Sequence, residues 1–313
     1  MLPLIVIAGP TAVGKTDLAI RLAKSLNSEI ISADSMQVYK YMDIGTAKPT
    51  LEEQFMVRHH LIDIVEPNQD FSVADYQKLF NQVVSKLHGK GKIPVVVGGT
   101  GLYIRACLRA FSFTDPGADQ ELRQNLREQA LKSEGTHCLY EQLKKVDSVT
   151  AERIHPNDHH RIIRALEVYL RTGIPFSEIP KNQPVNDKYQ TIYLFLDRNR
   201  DELYQRIEKR VDSMLEQGLV EEVEGLLKQG FSPELKAMQS LGYQQINQYL
   251  KSIISFEEAQ KLMKQKTCNY AKRQLTWFRK EPIDRWVNIS GKNEEFFGEI
   301  LNYIEGRIKK DVE

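Results

Sequence analysis

The sequence predicts an α/β fold in which a parallel sheet flanked by helices carries an inserted all-helical domain. Three short apolar runs in the first hundred residues are separated by helical patterns, and this alternation is typical of a parallel sheet covered on both faces. From residue 115 to residue 189 the chain is instead charged, helical and poor in strands. We therefore expect residues 1–114 and 190–313 to form the core, and 115–189 to form the insertion.

The composition indicates the protein class only broadly. Forty-three Lys and Arg residues against 42 Asp and Glu residues give a net charge of +1, so a nucleic-acid partner must be sought in local patches. The three cysteines have no CxxC spacing, which argues against a disulfide framework or a zinc site. No run approaches the ~18 apolar residues of a membrane span. We expect a cytoplasmic protein without membrane contact.

The first predicted strand, residues 2–8, runs into "GPTAVGKT" at 9–16, which matches the pattern GxxxxGK[ST]. A helix follows, with apolar residues recurring every four positions. In such a loop the backbone N–H groups form an anion nest, Lys15 adds a charge, and the Thr16 hydroxyl can bind Mg²⁺. The pattern predicts a P-loop NTPase-like core that binds a diphosphate, without indicating which molecule carries it. The predicted ligands are Gly9, Pro10, Thr11, Ala12, Val13, Gly14, Lys15 and Thr16.

The second predicted strand, "EIISADS" at 29–35, places Asp34 at its carboxyl end. In a parallel sheet this end meets the same crevice as the phosphate loop. Asp34 could be a Mg²⁺ ligand, a general base or a capping carboxylate. A helix near 72–88 with a capping box leads to a third strand at 92–103, in which "PVVVGG" ends in glycine rather than in the aspartate of conventional P-loop NTPases.

The C-terminal part of the core begins with the strand-like segment "YQTIYLFLD" at 189–197. In the helix that starts near Asn199, Arg206 and Arg210 lie one turn apart, on a different face from the apolar stripe. They could clamp a diphosphate, or they could pair with glutamates on a solvated face. A long helix from Ser255 to near 280, a strand at 285–289 and a helix at 293–309 complete the prediction.

Two basic segments are candidates for RNA contact. Residues 261–280 contain seven Lys or Arg and no Asp or Glu, with aromatic residues interleaved, which indicates either an RNA footprint or a solvated face. "HHRIIRALE" at 159–167 places Arg161 and Arg164 on one helical face. Its adjacent histidines point apart on a helix, so we do not expect a metal site there.

Seven motifs in order carry a resemblance to a known family. They are "GPTAVGKT" (9–16), "SADSMQVYK" (32–40), "DIGTAKP" (43–49), "VVGGTGLYI" (96–104), "RIIRALE" (161–167), "MQSLGY" (238–243) and "YAKRQLTWFR" (270–279). With them the sequence resembles the tRNA dimethylallyltransferase family, also called tRNA isopentenyltransferase, in its short bacterial form. The motifs span most of the chain, which makes the match specific.

The resemblance implies that a dimethylallyl group passes from dimethylallyl diphosphate to N6 of the adenosine 3′ to the anticodon, in tRNAs that read codons beginning with U. The adenine is flipped into a channel, Asp34 is the general base, and the phosphate loop with Mg²⁺ holds the departing diphosphate. Thr100, Lys15 and Arg210 are the other implied catalytic residues, and Arg206 binds the diphosphate.

The implied tRNA contacts lie in both predicted domains, and the insertion is expected to contact the anticodon stem-loop. They are Asp34, Ser35, Met36, Gln37, Thr100, His160, Arg161, Ile162, Ile163, Arg164, Lys272 and Arg273. Gln37 offers an amide that could pair with an adenine edge. One departure is that Cys268 and Asn269 stand where the family often has basic residues, which puts part of the phosphate contact in doubt. We expect a monomer, because one tRNA meets one active site.

Three alternative functions remain at this point. A small-molecule kinase would use the same loop for ATP. An adenylate isopentenyltransferase would prenylate free adenine nucleotides. A non-catalytic RNA-binding protein would carry a vestigial loop.

Overall fold

The computed structural model describes residues 1–109, 119–132, 134–179, 188–291 and 295–309. The chain divides into two compact units, one comprising Met1–Arg109 with Val185–Glu313 and the other Ala110–Pro184. The second unit thus begins at residue 110 and the first unit resumes at residue 185, whereas the sequence pattern predicts these boundaries at 115 and 190. No helix in the described part of the chain is long and apolar enough to cross a membrane.

The first unit is built on a six-stranded sheet in which each pair of neighbouring strands is parallel, and this confirms the predicted fold class. The strand order is β3-β2-β4-β1-β5-β6. The strands are β1 (Leu2–Ala8), β2 (Ile30–Ala33), β3 (His59–His60), β4 (Val95–Gly98), β5 (Tyr189–Asp197) and β6 (Arg285–Asn288). Part of the apolar run at 92–103 is helical, because the chain turns at the glycines and begins a helix at Gly101.

Nine helices are described in the first unit. They are α1 (Lys15–Ser25), α2 (Leu51–Met56), α3 (Val73–His88), α4 (Gly101–Leu108), α9 (Arg200–Glu216), α10 (Leu219–Lys228), α11 (Tyr243–Leu250), α12 (Phe256–Phe278) and α13 (Glu295–Lys309), numbered in chain order through both units. Ser72 and Asp75 form the predicted capping box at the start of α3. Such boxes satisfy N–H groups that the first helical turn leaves unpaired.

The core of the first unit lies on both faces of the sheet. Leu4 and Val6 of β1 pack into one apolar cluster, and Ile5 and Ile7 pack into the other. All four side chains are fully buried, as expected for a central strand whose alternate residues face opposite sides. The sheet is therefore a rigid support for the loops at the carboxyl ends of its strands.

The second unit contains four α-helices among its described residues, α5 (Gln120–Leu131), α6 (Gly135–Val146), α7 (Ser148–Ala151) and α8 (His159–Thr172). Its own apolar cluster includes Leu126, Leu143 and Leu166. The carboxylate of Glu167 is fully buried there and accepts hydrogen bonds from Arg123 and Arg164, which compensates the cost of burying its charge.

Candidate active site

The phosphate loop, residues 9–16, connects β1 to α1 at the carboxyl edge of the sheet. A Cβ atom on Gly9 would lie 2.7 Å from the carbonyl oxygen of Leu196, so only glycine fits. Gly14 has a φ of +109°, a conformation that glycine adopts without strain. The loop can therefore turn tightly into the N-terminus of α1, where helix geometry favours an anion.

Two backbone N–H groups of the loop are used within the protein. The N–H of Thr11 donates to Oε1 of Gln274 at 2.9 Å, and that of Val13 donates to the carbonyl oxygen of Pro10 at 3.4 Å. The expectation that every N–H of the loop faces a ligand is thus corrected for these two residues. Ala12 and Val13 have buried side chains, so only their backbone can serve a ligand.

Lys15 folds back onto its own loop. Its Nζ donates to the carbonyl oxygens of Gly9 at 3.0 Å and Pro10 at 2.8 Å. Loss of solvation, and then the charge of nearby Arg210, lower the pKa of Lys15 to about 7, whereas Asp34 acts in the opposite direction. An anion bound in the loop would favour the charged form of this amine, as expected at a site for a diphosphate.

Three arginines of the segment after β5 surround the phosphate loop. Nε of Arg206 donates to the carbonyl oxygen of Ala12 at 2.9 Å, and Nε of Arg198 donates to that of Val13 at 2.9 Å. Burial lowers the pKa of Arg210, the Asp34 carboxylate opposes this, and Arg206 adds to the lowering. Arg206 and Arg210 both line the cavity at the loop, so the structure favours the predicted clamp over pairing on a solvated face.

Asp34 follows β2 directly and closes a tight turn. Its Oδ1 accepts the N–H of Met36 at 2.8 Å and the N–H of Gln37 at 3.4 Å. The capping role considered from the sequence is therefore present. The hydroxyl of Thr100 accepts the N–H of Ser35 at 3.0 Å, which joins the turn after β2 to the turn after β4.

The amide of Gln37 is engaged inside the protein. Its Oε1 accepts the hydroxyl of Ser32 at 2.9 Å, and its Nε2 donates to the carbonyl oxygens of Thr46 and Ala47 at 3.4 and 3.2 Å. These contacts fix the amide in one orientation at the cavity wall. A base-reading role for Gln37 would have to use the remaining hydrogen-bonding capacity of this fixed group.

Two cavities meet at Asp34. The first has a volume of about 870 Å³ and is lined by Lys15, Thr16 and Arg206 among others. The second, of about 550 Å³, is lined by Ser35, Met36 and Arg273 among others. The residues lining both cavities are Thr11, Asp34, Thr46, Arg210, Met214 and Tyr270. A carboxylate thus lies where a ligand in one cavity would face a ligand in the other.

The protein oxygens near the loop fit a magnesium ion that is held mainly by a substrate. Mg²⁺ takes oxygen ligands and commonly binds through one or two protein groups plus substrate phosphates. The hydroxyl of Thr16 and the carboxylate of Asp34 line the same cavity. The described residues contain no group of three His, Cys, Asp or Glu side chains that could hold a metal by themselves.

The predicted RNA-contacting residues separate into exposed and buried ones. Lys272 and Arg273 are exposed on α12, and His160 and Arg161 are exposed on α8. Arg164 is turned toward Glu167 within the second unit, with its Nη1 3.1 Å from Oε2 of Glu167. Two implied contacts need correction, because Ile162 and Ile163 are buried in the apolar cluster of that unit at 0% and 4% exposure.

Sequence reasoning missed two residues that hold the site together. Arg198 was passed over because nothing near it in the sequence indicates that its guanidinium reaches the phosphate loop. Gln274 was named only inside a motif, yet its side chain bonds to both the phosphate loop and the turn after β4. The available signal was the helical spacing that places Gln274 on the same face as the apolar Ala271 and Phe278.

A phosphate loop after the first strand of a parallel sheet, with cations around it, defines a P-loop NTPase-like protein that binds phosphorylated ligands. Residues 37–281 match the family model described as "IPP transferase". The chain belongs to the IPP transferase family.

Three relatives illustrate the similarity. The tRNA dimethylallyltransferase of Halothermothrix orenii is 48% identical over 299 residues, covering 95% of this chain and 91% of that protein. The crystal structure of the tRNA isopentenylpyrophosphate transferase of Bacillus halodurans matches with a TM-score of 0.75 at 41% identity, over 99% of this chain and 98% of that one. A eukaryotic dimethylallyltransferase acting on tRNA matches with a TM-score of 0.78 at 32% identity, over 92% of this chain and 74% of that one.

Proposed function

We propose that this protein transfers the dimethylallyl group of dimethylallyl diphosphate to N6 of the adenosine 3′ to the anticodon of tRNA. The observation that carries the proposal is the position of Asp34, a carboxylate at the junction of two cavities, one of which contains the phosphate loop. Membership in the IPP transferase family and the names of the relatives support the same reaction.

The first cavity suits the donor. A departing diphosphate gains charge as the bond between the allylic carbon and its oxygen breaks, and donors aimed at that charge lower the barrier. Lys15, Arg206 and Arg210 line this cavity. Bound Mg²⁺, held by the Thr16 hydroxyl and the diphosphate, would add further positive charge to the leaving group.

The second cavity suits the acceptor. The lone pair of adenine N6 is delocalised into the ring, so the amine is a weak nucleophile. Asp34 accepts the N6 proton as the new carbon–nitrogen bond forms, and Thr100 holds the adjacent turn through the N–H of Ser35. A base in a stacked loop cannot reach this depth, so the adenine is flipped out of the anticodon loop.

The remaining tRNA contacts come from basic residues of both units. Lys272 and Arg273 on α12 bind backbone phosphates near the second cavity, which Arg273 lines. His160, Arg161 and Arg164 of the second unit contact the anticodon stem-loop. The protein acts as a cytoplasmic monomer on tRNAs that read codons beginning with U.

A label-transfer assay tests the proposal against its alternatives. Purified protein is incubated with Mg²⁺, dimethylallyl diphosphate labelled in its prenyl group, and either an unmodified anticodon stem-loop or free AMP, ADP or ATP. The expected result is label on the stem-loop alone. A matched stem-loop with guanosine in place of the target adenosine should remain unlabelled.

Each other outcome identifies a different function. Label on a free nucleotide would indicate an adenylate isopentenyltransferase. Consumption of ATP without prenyl transfer would indicate a kinase. Tight binding of the stem-loop with no label transferred would indicate a non-catalytic RNA-binding protein.

A further inference from the structure

Gln274 joins the phosphate loop to the turn after β4 through its side chain and lines the first cavity. It belongs to α12 and is only 6% exposed. Its Oε1 accepts the N–H of Thr11 in the phosphate loop at 2.9 Å. Its Nε2 donates to the carbonyl oxygen of Gly99, in the turn after β4, at 3.0 Å. One amide therefore bridges a loop that follows β1 and a turn that follows β4.

The fit around this amide is close. A Cβ atom on Gly99 would lie 2.2 Å from Nε2 of Gln274, so any larger residue at 99 would displace the amide. A buried polar group that loses its partner costs more than the hydrogen bond itself contributes. Both ends of the Gln274 amide are paired, so the residue is held in a single orientation.

The turn that Gln274 supports leads to the acceptor side. Thr100 follows Gly99 and accepts the N–H of Ser35, next to Asp34. Tyr270 lies one helical turn before Gln274; burial raises the pKa of its hydroxyl, and the side chains of Thr100 and Gln274 partly oppose that rise. Tyr270 and Asp34 both line the two cavities. The polar contacts thus run from the phosphate loop, through α12, to the turn that carries the proposed base.

We propose that Gln274 is a positioning residue whose two amide ends serve different substrates. Its carbonyl oxygen holds the phosphate loop in the shape that receives the donor diphosphate. Its amino group holds the Gly99–Thr100 turn, and Thr100 in turn holds the Asp34–Ser35 turn on the acceptor side. The assignment of the turn to the acceptor rests on the proposed function, whereas the assignment of the loop rests on diphosphate binding alone.

Two substitutions separate the two ends. Gln274→Glu keeps an oxygen for the N–H of Thr11 but, ionised at pH 8.5, sets an oxygen against the carbonyl oxygen of Gly99. Gln274→Met has similar volume and supplies neither the acceptor nor the donor. Gln229→Glu, an exposed site after α10, makes the same chemical change away from both cavities and is the matched control.

The readouts are pyrophosphate binding by calorimetry, amide hydrogen exchange of residues 9–16 and 98–102, and kcat with KM for each substrate. For Gln274→Glu we expect faster exchange only at 98–102, unchanged exchange at 9–16, and kcat reduced by about tenfold or more; the added negative charge in the first cavity should also weaken pyrophosphate binding. For Gln274→Met we expect faster exchange in both segments and pyrophosphate affinity also reduced by about tenfold. Gln229→Glu should match the unmodified protein throughout.

The inference is overturned if the two Gln274 variants behave alike, or if Gln274→Glu leaves exchange at 98–102 unchanged. A residue that only stabilises the fold would speed exchange in both segments in both variants. Pyrophosphate binding and exchange need no transferase activity. A failure of the proposed function, seen as no label transfer by the unmodified protein, is therefore distinguishable from a failure of this inference.

Discussion

Asp34→Asn is the sharpest test of the site, because the substitution removes the base while keeping the local structure. The Oδ1 of asparagine can still accept the N–H groups of Met36 and Gln37, which Asp34 holds at 2.8 and 3.4 Å. The amide cannot take a proton from adenine N6. General-base catalysis contributes typically 10²- to 10⁴-fold, so we expect the transfer rate to fall by about that factor, or about 3 to 5 kcal/mol in barrier.

Donor binding should respond in the opposite direction. The Asp34 carboxylate interacts with the charges of Lys15 and Arg210. Removing its negative charge leaves those cations free to attract a diphosphate, so pyrophosphate affinity should stay the same or increase. Asp34→Ala also loses the two accepted hydrogen bonds, each contributing about 1 kcal/mol, and should reduce stability as well.

Single-turnover transfer from labelled dimethylallyl diphosphate to saturating stem-loop measures the chemical step, and calorimetry with pyrophosphate measures the donor site. Asp34→Asn should be slow in the first assay and normal in the second. A rate within about threefold of the unmodified protein would show that Asp34 does not act as the base. Loss of pyrophosphate binding would instead point to a metal-binding role for this carboxylate.

Three further predictions concern the surroundings of the site and the sheet. Arg206→Met removes one positive charge and the hydrogen bond to the loop carbonyl oxygen of Ala12. Pyrophosphate affinity measured by calorimetry should therefore fall by about 10- to 100-fold. Substitution of the exposed Lys228 by Met is the control and should have no effect. Burial raises the pKa of Glu29, but hydrogen bonds from Lys92 and His60 outweigh it and lower the pKa from 4.5 to about 2. Because this folded-state pKa is depressed, its stabilisation is present above pH 4.5 and is lost as the pH falls toward 2. In urea denaturation, the free energy of unfolding should fall by about 2 kcal/mol because of Glu29 between about pH 5 and about pH 3. The Glu29→Gln variant should lack this part of the fall. If the free energy of unfolding of the two proteins changed with pH in parallel, the prediction would be contradicted. The Glu222 carboxylate accepts hydrogen bonds from the backbone N–H groups of Asp43, Ile44 and Gly45. Glu222→Gln should lower the free energy of unfolding by about 1 to 3 kcal/mol in thermal denaturation. An unchanged melting temperature would argue against this role of the carboxylate.

Much of the fold could be predicted from the sequence, because its signals are local. The phosphate loop must lie between a strand and a helix to work, and both neighbours are recognisable from their apolar patterns. The helical period alone showed that Arg206 and Arg210 lie outside the buried apolar stripe of their helix. The period could not show whether the two arginines face solvent or the phosphate loop, because that depends on how α9 packs beside the loop.

The errors arose where tertiary packing overrides a local pattern. The apolar run at 92–103 indicates one long strand, yet β4 spans only Val95–Gly98 and the remainder begins α4. Ile162 and Ile163 were taken as RNA contacts from a motif, although β-branched apolar residues on an amphipathic helix are more often core, as they are in α8. Gln274 could not be assigned, because its two partners lie 263 and 175 residues away in the chain.

The absence of an acidic residue at the end of β4 has a steric explanation. Gly98 is paired in register with Ala33 of β2, and a Cβ atom at Gly98 would lie 2.1 Å from the carbonyl oxygen of Ala33. No side chain fits there, so the position that carries an aspartate in conventional P-loop NTPases cannot carry one here. The adjacent strand supplies Asp34 instead, one residue beyond Ala33, where the carboxylate faces both cavities. The close approach of β2 and β4 therefore leaves the acid to the end of β2, at the junction of the two cavities, where the proposed function requires the second substrate to arrive.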